Sequence, residues 1–406
     1  MQGRKKGLAR RDFLKSSLAA ATVMVVPARM LGAEAPSETV GGALIGCGGR
    51  GEGTFGEMGG LKPQRLASCD VKWVGSADNK TRYTDFRRVL DRKDIDVVAI
   101  ATPPHWHALI SIAAMEAGKD VLCEKPMTRF IAEGRAVAEA EKRYKRVFQV
   151  GTFGRFGQSR EPGSILTRKI MKSGLIEKCE VVRILRNGFK VKEWSGYVNA
   201  KPERVPSNLD WDMYQGPSPM RPYHHHRHNG THRGYWDYEG GGLADMAQHY
   251  LDPFTWTWGR DHTAPVEAEA HAPPAHPEAV GMWGWVELKY ADGFTLVLDS
   301  GEWGERYNRK QERGVGLNDL SEEDRKKIAE TPDPEPLLDF AAAVKARRPA
   351  GGNAEVAHRT ATIFHLANIA IRVGRKIRFD PDKETIIGDE EANRLVNQPM
   401  RAPWHL

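Results

Sequence analysis

A glycine-rich turn directly after an apolar run constrains the fold of this 406-residue chain more than any other feature. The apolar run 43–45 leads into the pattern G-x-G-x-x-G at 46–51. If the run is a strand, Gly46 allows a tight turn, Gly48 lets backbone N–H groups approach a pyrophosphate, and Gly51 lets a helix start against the strand. The predicted contacts of this dinucleotide site are Gly46, Gly48, Gly49, Arg50 and Gly51.

A carboxylate follows where the ribose of a dinucleotide would lie. Asp70 closes the second apolar run, about 20 residues after Gly51. A carboxylate at this place accepts hydrogen bonds from the ribose hydroxyls and repels a 2'-phosphate. The sequence therefore predicts NAD as the cofactor and disfavours NADP. A plain glycine-rich turn is the alternative, and the preceding strand together with Asp70 favours the nucleotide site.

Residues 1–35 have the pattern of an export signal rather than of a folded domain. Basic residues lead into Arg10 and Arg11, an apolar stretch spans 16–27, and an A-x-A cleavage site lies at 33–35. This predicts a twin-arginine signal, passage through the twin-arginine translocase and a periplasmic or otherwise exported protein. The apolar stretch is shorter than the about 20 residues that span a bilayer, so we expect no stable membrane anchor. Because this pathway carries folded proteins, the signal favours a tightly bound nucleotide.

The basic balance of the chain does not indicate a nucleic-acid partner. The net charge is +7, but most of the excess lies in residues 1–35. The remaining stretch of about 370 residues exceeds a usual single core and predicts two domains. The four cysteines lie beside apolar runs without a C-x-x-C pair, so we expect free thiols at Cys47, Cys69, Cys123 and Cys179.

Helical patterns alternate with apolar runs up to about residue 150. The predicted helices are 84–92, 107–118 and 130–145, and the predicted strands are 95–101, 120–123 and 147–150. This alternation predicts an α/β fold with a parallel sheet between helices, a Rossmann NAD-binding domain over 38–152. Only residues 71–83 separate Asp70 from the next helix. We therefore expect the usual crossover helix to be missing or a single turn, and the adenosine end of the site to be more open.

Residues 153–406 have a different pattern and predict an α+β domain for substrate binding. Long strands are predicted at 181–189, 266–271, 281–290 and 293–299, and helices at 337–345 and 354–373. The last two strands are joined by a D-G hairpin signal at 291–293, and no helix separates them, so the sheet is expected to be open and mostly antiparallel. The connection 191–238 is long and rich in Pro, Gly, His and aromatic residues, which is typical of a functional loop.

Two motifs fall where an open α/β sheet binds ligands, outside the carboxyl ends of its strands. In 101–107 the prolines end a strand and free its backbone to line the nicotinamide ribose, and a plain strand-to-helix turn is the alternative. At 124–126, Lys125 follows a strand at a domain junction, where burial would lower its pKa and suit it to proton transfer; a surface lysine is the alternative. These motifs add the cofactor candidates Thr102, Pro103, His105, His107, Glu124 and Lys125.

A third motif places an acid and a histidine on one helix. The glycines 240–242 permit close approach of a ligand at the start of the helix, and Asp245 and His249 share one helix face. A histidine oriented by a carboxylate is a general base near neutral pH. The alternative is a satisfied i,i+4 pair without a catalytic role.

The glycine loop, the Glu-Lys-Pro triplet and the Asp-x-x-x-His helix, in this order, resemble the Gfo/Idh/MocA oxidoreductase family. The resemblance extends to 354–374 and to 400–404, which are similar to a large exported branch of the family. It implies that Lys125 and His249 flank the reacting carbon and that Asp245 positions a sugar and tunes the base. It also implies a cis peptide bond before Pro126 and an open antiparallel sheet used for homo-oligomer contacts.

A run of histidines in the long connection admits a metal interpretation. Adjacent histidines in an extended segment point to opposite faces, no thiolate accompanies them, and hydride transfer needs no metal, so we expect no zinc among His224, His225, His226, His228 and His232. Aromatic rings stack on the C–H faces of sugars, while histidine and arginine bind hydroxyls. The expected sugar pocket therefore includes His228, Arg233, Tyr235 and Trp236, together with Asp245 and His249.

The leading hypothesis is an NAD-dependent enzyme that takes hydride from a hydroxyl-bearing carbon of a sugar or glycoside. Because the periplasm offers no obvious NAD pool, a tightly bound nucleotide would be recycled within the catalytic cycle. A second carbonyl substrate could be reduced, or transient oxidation at C3 could eliminate the glycosidic substituent and return the hydride, which makes a redox-neutral glycosidase or lyase. A non-catalytic nucleotide- or sugar-binding protein is the third hypothesis, and the presence of Lys125, Asp245 and His249 argues against it.

Overall fold

The computed structural model describes residues 39–174, 181–190, 195–308, 318 and 320–406. Residues 40–406 form one compact unit that contains two six-stranded sheets. The predicted export signal at 1–35 and the thiol of Cys179 lie outside the described residues. Within these ranges, no helix has both the length and the apolar character that crossing a membrane would require. The three described cysteines, Cys47, Cys69 and Cys123, are free thiols.

The first sheet is parallel throughout, with the strand order β3-β2-β1-β4-β5-β6. Its strands are β1 (Gly41–Ile45), β2 (Gln64–Cys69), β3 (Arg82–Tyr83), β4 (Val97–Ile100), β5 (Asp120–Cys123) and β6 (Phe148–Val150). The helices of this half are α1 (Gly51–Gly56), α2 (Phe86–Leu90), α3 (His107–Glu116) and α4 (Ile131–Tyr144). The predicted Rossmann sheet is confirmed, and its strand order reverses between β1 and β4.

Burial on both faces explains why these strands are apolar runs without alternation. The side chains of β1, β4 and β5 are all buried, as helices cover a parallel sheet on both sides. Between β2 and β3 the chain makes only one 3-10 turn, Val71–Trp73, so the predicted absence of a crossover helix is confirmed. Helix α2 is shorter than the predicted 84–92 because Asp85 caps its start through the N–H of Arg87.

The second sheet has the order β12-β11-β8-β9-β10-β7. Its strands are β7 (Val181–Leu185), β8 (Glu267–His271), β9 (Trp285–Lys289), β10 (Thr295–Asp299), β11 (Ile377–Asp380) and β12 (Thr385–Ile386). All neighbouring pairs are antiparallel except β10 and β7, which confirms the predicted mostly antiparallel sheet. The helices of this half are α5 (Gly154–Gln158), α6 (Pro162–Lys172), α7 (Trp211–Gln215), α8 (Gly241–Thr257), α9 (Glu322–Glu330), α10 (Phe340–Ala346), α11 (Ala354–Val373) and α12 (Glu390–Asn393).

Several predicted elements of this half differ in extent. Strand β7 stops at Leu185 because a 3-10 turn follows and buries Phe189 completely against the rings of Tyr250 and Trp283. The hairpin between β9 and β10 is confirmed, with Gly293 at a φ of 87°. The predicted elements do not include helices α5, α6, α7, α9 and α12 or strands β11 and β12, and an irregular tail was expected where the last three lie.

Helix α11 packs against elements of both halves of the chain. Its predicted bounds are confirmed, since the side chain of Asn353 caps its start and Gly374, at a φ of 64°, ends it. It packs against α4 beside the first sheet and against α8 and β8 of the second half. Helix α8 carries the Asp-x-x-x-His motif, so this packing fixes the position of the motif relative to the parallel sheet.

Candidate active site

A cleft of about 810 Å³ lies outside the carboxyl ends of β1, β4 and β5. This is the switch point of the strand order, where open α/β sheets bind their ligands. The first half of the chain contributes the glycine loop, Asp70 and the 101–106 turn, and the second half contributes α7, segment 228–233 and the start of α8. The predicted site residues that line it are Gly46, Gly48, Gly49, Arg50, Asp70, Thr102, Pro103, Glu124, Lys125, His228, Arg233, Asp245 and His249.

The glycine loop has the geometry that a pyrophosphate requires. Gly46 has a φ of 89°, and a Cβ there would lie 2.5 Å from the carbonyl carbon of Ala101. A Cβ on Gly51 would lie 2.3 Å from the carbonyl oxygen of Gly46, so only glycine lets α1 start this close to β1. Positions Gly48 and Gly49 have no atom within 4 Å of a Cβ, which leaves their backbone open toward the cleft. The loop therefore fits a dinucleotide phosphate.

The carboxylate of Asp70 both faces the cleft and braces the glycine loop. Its Oδ2 accepts a hydrogen bond from the N–H of Cys47 at 2.9 Å, and its Oδ1 accepts one from the N–H of Lys72 at 2.9 Å. Each carboxylate oxygen has a second lone pair for a ribose hydroxyl. Asp70 thus couples the shape of the loop to recognition of the ribose.

The long connection contacts the turn that follows Asp70, beside the expected ribose site. The N–H of Asp210 donates to the carbonyl of Val71 at 2.9 Å, and the N–H of Val74 donates to that of Asn208 at 3.2 Å. These two bonds hold the long connection next to the single 3-10 turn that stands where a crossover helix is usual. That the adenosine end is more open stays a prediction.

A chain of alternating charges forms the other end of the cleft. The ammonium of Lys125 lies 2.8 Å from Oδ1 of Asp245 and also donates to its backbone carbonyl at 3.1 Å. The Nε of Arg233 donates to the same Oδ1 at 2.9 Å. Burial alone would raise the pKa of Asp245, but the charges and hydrogen bonds of Lys125 and Arg233 together hold it below its usual value. Lys125 is thus largely buried and paired with a carboxylate, and it is not the surface lysine of the alternative interpretation.

The peptide bond between Lys125 and Pro126 is cis, as the resemblance implied. The next residue, Met127, donates its N–H to Oε1 of Gln248 at 2.7 Å. Gln248 belongs to α8, so the Glu-Lys-Pro turn and the helix with the Asp-x-x-x-His motif are bonded to each other. This contact aligns Lys125 with Asp245 and His249.

His249 lines the cleft one helical turn after Asp245. Burial, and after it the charge of Lys125, lowers its pKa, so the imidazole is neutral at neutral pH and can accept a proton. The expected orientation by Asp245 is not present, because Oδ1 of Asp245 accepts from Lys125 and Arg233 instead. Among the described residues no hydrogen bond joins Asp245 to His249. The shared helix face brings both to the cleft without pairing them.

Glu239 is a cleft residue that the sequence reasoning did not single out. Its side chain is buried, with Oε2 3.4 Å from Nε2 of His232 and 3.9 Å from Nε of Arg233. Burial, and after it the charge of Asp245, raises its pKa to about 8. Burial lowers the pKa of His232 to about 3. The sequence signal for Glu239 was its position directly before the glycines 240–242, because a residue there faces the same ligand as the start of the helix.

His105 and His107, predicted to contact the cofactor, are buried behind the wall of the cleft instead. The Nε2 of His105 bonds to the carbonyl of Tyr214 at 2.8 Å. The Nδ1 and Nε2 of His107 lie 2.8 Å from the carbonyl oxygen of Pro126 and 2.7 Å from that of Thr102, and the neutral ring donates to one of the two. Neither histidine lines the cleft, and both side chains instead contact backbone carbonyls of neighbouring loops.

Tyr235 and Trp236, predicted to line the sugar pocket, also point away from the cleft. The hydroxyl of Tyr235 accepts from the N–H of Tyr197 at 3.0 Å, and its ring is fully buried. The indole N–H of Trp236 donates to the carbonyl of His276 at 2.9 Å. Apolar area and the need for a hydrogen-bond partner draw both rings into the interior. His228 and Arg233 from the same segment do line the cleft.

The histidine run forms a hydrogen-bonded cluster beside the cleft. Oε1 of Glu203 lies 2.8 Å from Nδ1 of His225 and 3.4 Å from Nε2 of His224. Nδ1 of His224 accepts from the N–H of His226 at 3.1 Å, which places the proton of the neutral ring on Nε2. Glu203, His224 and His225 are close enough together to bind a metal ion.

Comparison with known proteins gives the same family for both halves. The family models described as "Oxidoreductase family, NAD-binding Rossmann fold" and "Oxidoreductase family, C-terminal alpha/beta domain", both of Gfo/Idh/MocA, match residues 64–152 and 164–406.

Curated relatives are similar over a shorter stretch. Levoglucosan dehydrogenase of Pseudarthrobacter phenanthrenivorans is 38% identical over 117 residues, which cover 29% of this chain and 28% of the relative. Inositol 2-dehydrogenase of Salmonella typhimurium is 36% identical over 95 residues, covering 23% and 27%. The aligned part is thus under a third of either relative.

A solved structure supports the fold over most of the chain. The WlbA dehydrogenase from Chromobacterium violaceum, in complex with NADH and UDP-GlcNAcA, superposes with a TM-score of 0.54 at 17% identity. The superposition covers 84% of this chain and 96% of that protein. With both sheets, the glycine loop and both family matches in agreement, the chain belongs to the Gfo/Idh/MocA oxidoreductase family.

Proposed function

We propose that this protein is an NAD-dependent oxidoreductase that removes hydride from a hydroxyl-bearing carbon of a sugar or glycoside. The observation that carries the proposal is the position of Lys125, Asp245 and His249 in the same cleft as the glycine loop and Asp70. A nucleotide fold alone does not specify chemistry. Here an ammonium, a carboxylate and a neutral imidazole converge at the end of the cleft away from Asp70.

The side chains divide the work of oxidising a hydroxyl group. NAD, when bound, supplies the hydride acceptor. His249 takes the hydroxyl proton as the general base, since its lowered pKa keeps the imidazole neutral. Lys125 donates a hydrogen bond to the same oxygen and stabilises its developing negative charge. Asp245 holds Lys125 in place and accepts a neighbouring hydroxyl of the substrate.

The charges of the site favour a hydroxyl-rich, uncharged substrate. Both Lys125 and Arg233 lie within hydrogen-bond distance of Asp245. Their charges are therefore already partly balanced by this carboxylate, which disfavours an acidic group on the substrate. Carboxylate, imidazole and guanidinium groups at this end bind alcohols as donors and acceptors. Levoglucosan and inositol, named for the curated relatives, are substrates of this kind.

We also propose that the nucleotide is held tightly and that the protein is exported through the twin-arginine pathway. The hydrogen bonds that join Asn208 and Asp210 to the turn after Asp70 support slow release, because they hold the long connection beside the expected ribose site. Replacing Arg10 and Arg11 with Lys is expected to leave folded, unprocessed protein in the cytoplasm. An unchanged yield of periplasmic protein would contradict this route.

Redox-neutral glycoside cleavage through oxidation at C3 is the second candidate function. The contacts between the long connection and the turn after Asp70 favour it, because a retained nucleotide is reused when the hydride returns to the same molecule. After oxidation at C3, loss of the C2 proton breaks the glycosidic bond, and water and the returning hydride complete the turnover. His249 and Lys125 would serve the proton transfers in both reactions.

Incubation with aryl glycosides and no added acceptor separates these candidates. Net oxidation is expected to stop after one equivalent of NADH and to resume when a keto-sugar or dye is added. The redox-neutral reaction would release phenol over many turnovers and exchange the C2 proton with deuterated solvent. Neither result with a broad panel of sugars and glycosides would contradict the proposed substrate class.

A further inference from the structure

The segment 400–404, here called the latch segment, packs against the wall of the nucleotide cleft without lining it. It lies far along the chain from the glycine loop, and the proposed chemistry assigns it no part. Its contacts converge on two elements that do line the cleft, the turn around Trp106 and helix α7.

Trp404 supports aromatic residues of the cleft wall from behind. Its ring lies 4.7 Å from that of Trp106 in an edge-to-face arrangement and 6.3 Å from that of Phe86. Phe86 and Trp106 contact each other at 5.4 Å, and both line the cleft. The guanidinium of Arg87 lies 5.3 Å from the centre of the Trp404 ring on another side. Such ring pairs add stabilisation beyond the buried apolar area.

Arg401 holds helix α7 and the turn that follows it. Its backbone N–H donates to the carbonyl of Pro217 at 2.9 Å, and its Nε donates to that of Gly216 at 2.9 Å. The two terminal nitrogens of the guanidinium donate to the Oδ1 of Asp212 at 2.6 Å and to its carbonyl at 2.9 Å. The planar, multiply donating guanidinium therefore fixes both the position and the orientation of the helix.

The two sets of contacts meet at the indole of Trp106. Its Nε1 donates to the carbonyls of Met213 at 3.0 Å and Tyr214 at 3.1 Å, both within α7. Met213 and Tyr214 line the cleft as well. A helix as short as Trp211–Gln215 has little stability of its own, so its position depends on such tertiary contacts. The latch segment thus contacts both Trp106 and α7, and these two elements are themselves joined by the hydrogen bonds of the indole.

We propose that the latch segment sets the rate of nucleotide release by holding α7 and Trp106 closed beside the adenosine end. Arg401 and Trp404 are positioning residues that act through these two elements. The inference rests on the proposed binding of NAD. It predicts that weakening the latch opens the wall and speeds dissociation, while the distant groups around Lys125 keep their geometry.

The dissociation rate constant of NADH tests the proposal directly. Purified full-length protein is loaded with NADH, and the loss of nucleotide fluorescence is followed after adding excess NAD. The variants are Arg401→Met and Trp404→Ala, with Trp404→Phe as the conservative change. The matched control is Arg375→Met, an exposed arginine paired with Asp389 and Glu391. The melting temperature and kcat at saturating nucleotide are measured on the same preparations.

Arg401→Met and Trp404→Ala are expected to raise the dissociation rate constant at least about tenfold, because changes in affinity appear mainly in dissociation. Trp404→Phe is expected to retain most of the slow release, and Arg375→Met all of it. Should Trp404→Ala fail to fold, Arg401→Met and Trp404→Phe decide the matter. If the dissociation rate constant of Arg401→Met equals those of wild type and the control, the role of the latch segment is overturned while the proposed function stands. A wild type that binds neither NAD nor NADH would overturn the proposed function as well.

Discussion

The two ends of the cleft are built in different ways. At the nucleotide end, consecutive turns after β1 and β4 supply backbone groups, and Asp70 holds the glycine loop through the N–H of Cys47. At the chemical end, side chains from distant parts of the chain supply nearly all the polar groups, with Lys125 bonded to Asp245 across 120 residues of sequence. One end is thus fixed by local backbone geometry and the other by tertiary packing.

This difference assigns different consequences to substitutions at the two ends. Removing the side chain of Asp70 at the nucleotide end is expected to weaken binding, because both the ribose contact and one support of the glycine loop are lost. Removing one at the chemical end leaves partners such as Asp245 with unbalanced charge, and is expected to lower turnover. Substitutions at the two ends therefore separate binding from turnover.

Lys125→Met and His249→Phe should each lower kcat by about 10²- to 10⁴-fold, the usual contribution of a positioned acid or base. Bound nucleotide should remain, because neither side chain belongs to the glycine loop or the ribose contact. Steady-state kinetics and the nucleotide content of the purified variants check this, with the exposed Lys383→Met as control. Full activity in either variant would remove that residue from the mechanism.

Asp70→Ala should weaken NAD binding by about 10- to 100-fold, since hydrogen bonds to a charged group contribute about 1.5–3 kcal/mol. The preference for NAD over NADP should narrow as well, because the repulsion of a 2'-phosphate is lost. Calorimetric titration of both nucleotides against the two proteins measures the change. A wild type that prefers NADP would contradict the role given to Asp70.

Glu239→Gln should change the pH dependence of folding stability rather than the maximal rate of turnover. The pKa of Glu239 is raised from 4.5 to about 8 in the folded protein, so the stability it contributes is present below about pH 4.5 and lost as the pH rises to about 8. Glutamine mimics the protonated acid and should remove this loss. Melting temperatures between these pH values compare the variant with wild type and with the exposed Glu335→Gln. If the melting temperatures of Glu239→Gln and wild type changed with pH in parallel, Glu239 would not titrate in this pH range.

Tyr235→Phe should have the smallest effect on turnover. The change removes the hydroxyl that bonds to Tyr197 and His226, which costs about 0.5–1.5 kcal/mol of folding free energy. Because the ring does not line the cleft, kcat/KM should stay within about twofold of wild type. Chemical denaturation and kinetics measure the two quantities. A tenfold loss of kcat/KM without loss of stability would return Tyr235 to the substrate pocket.

The sequence predicted the nucleotide end well because its signals are local. The turn at φ 89° requires a glycine, and a strand that is buried on both faces requires an apolar run. Both features can be read from a few consecutive residues. At the chemical end the motif residues were found, but their partners were not. Spacing placed Asp245 and His249 on one face, whereas the preference of Asp245 for Lys125 and Arg233 depends on packing between remote elements.

The long connection shows where prediction from sequence reaches its limit. Its aromatic and histidine content predicted a ligand-binding loop, and His228 and Arg233 do line the cleft. Tyr235 and Trp236 have the same composition signal yet are buried inward, since residue type alone does not tell which side of an irregular loop faces a ligand. The contact between the long connection and the turn after Asp70 depends on backbone groups of Asn208 and Asp210, which leave no pattern in the sequence.

The most direct test of the central claim is a single-turnover measurement on natively purified protein. Nucleotide content is determined first, and the absorbance of reduced nicotinamide is then followed after adding levoglucosan, inositol or an aryl glycoside without an added acceptor. The account predicts NAD or NADH bound near one equivalent per chain, and its reduction by at least one of these compounds in wild type but not in Lys125→Met or His249→Phe. Protein that binds no nucleotide, or wild type and both variants that react alike, would contradict it.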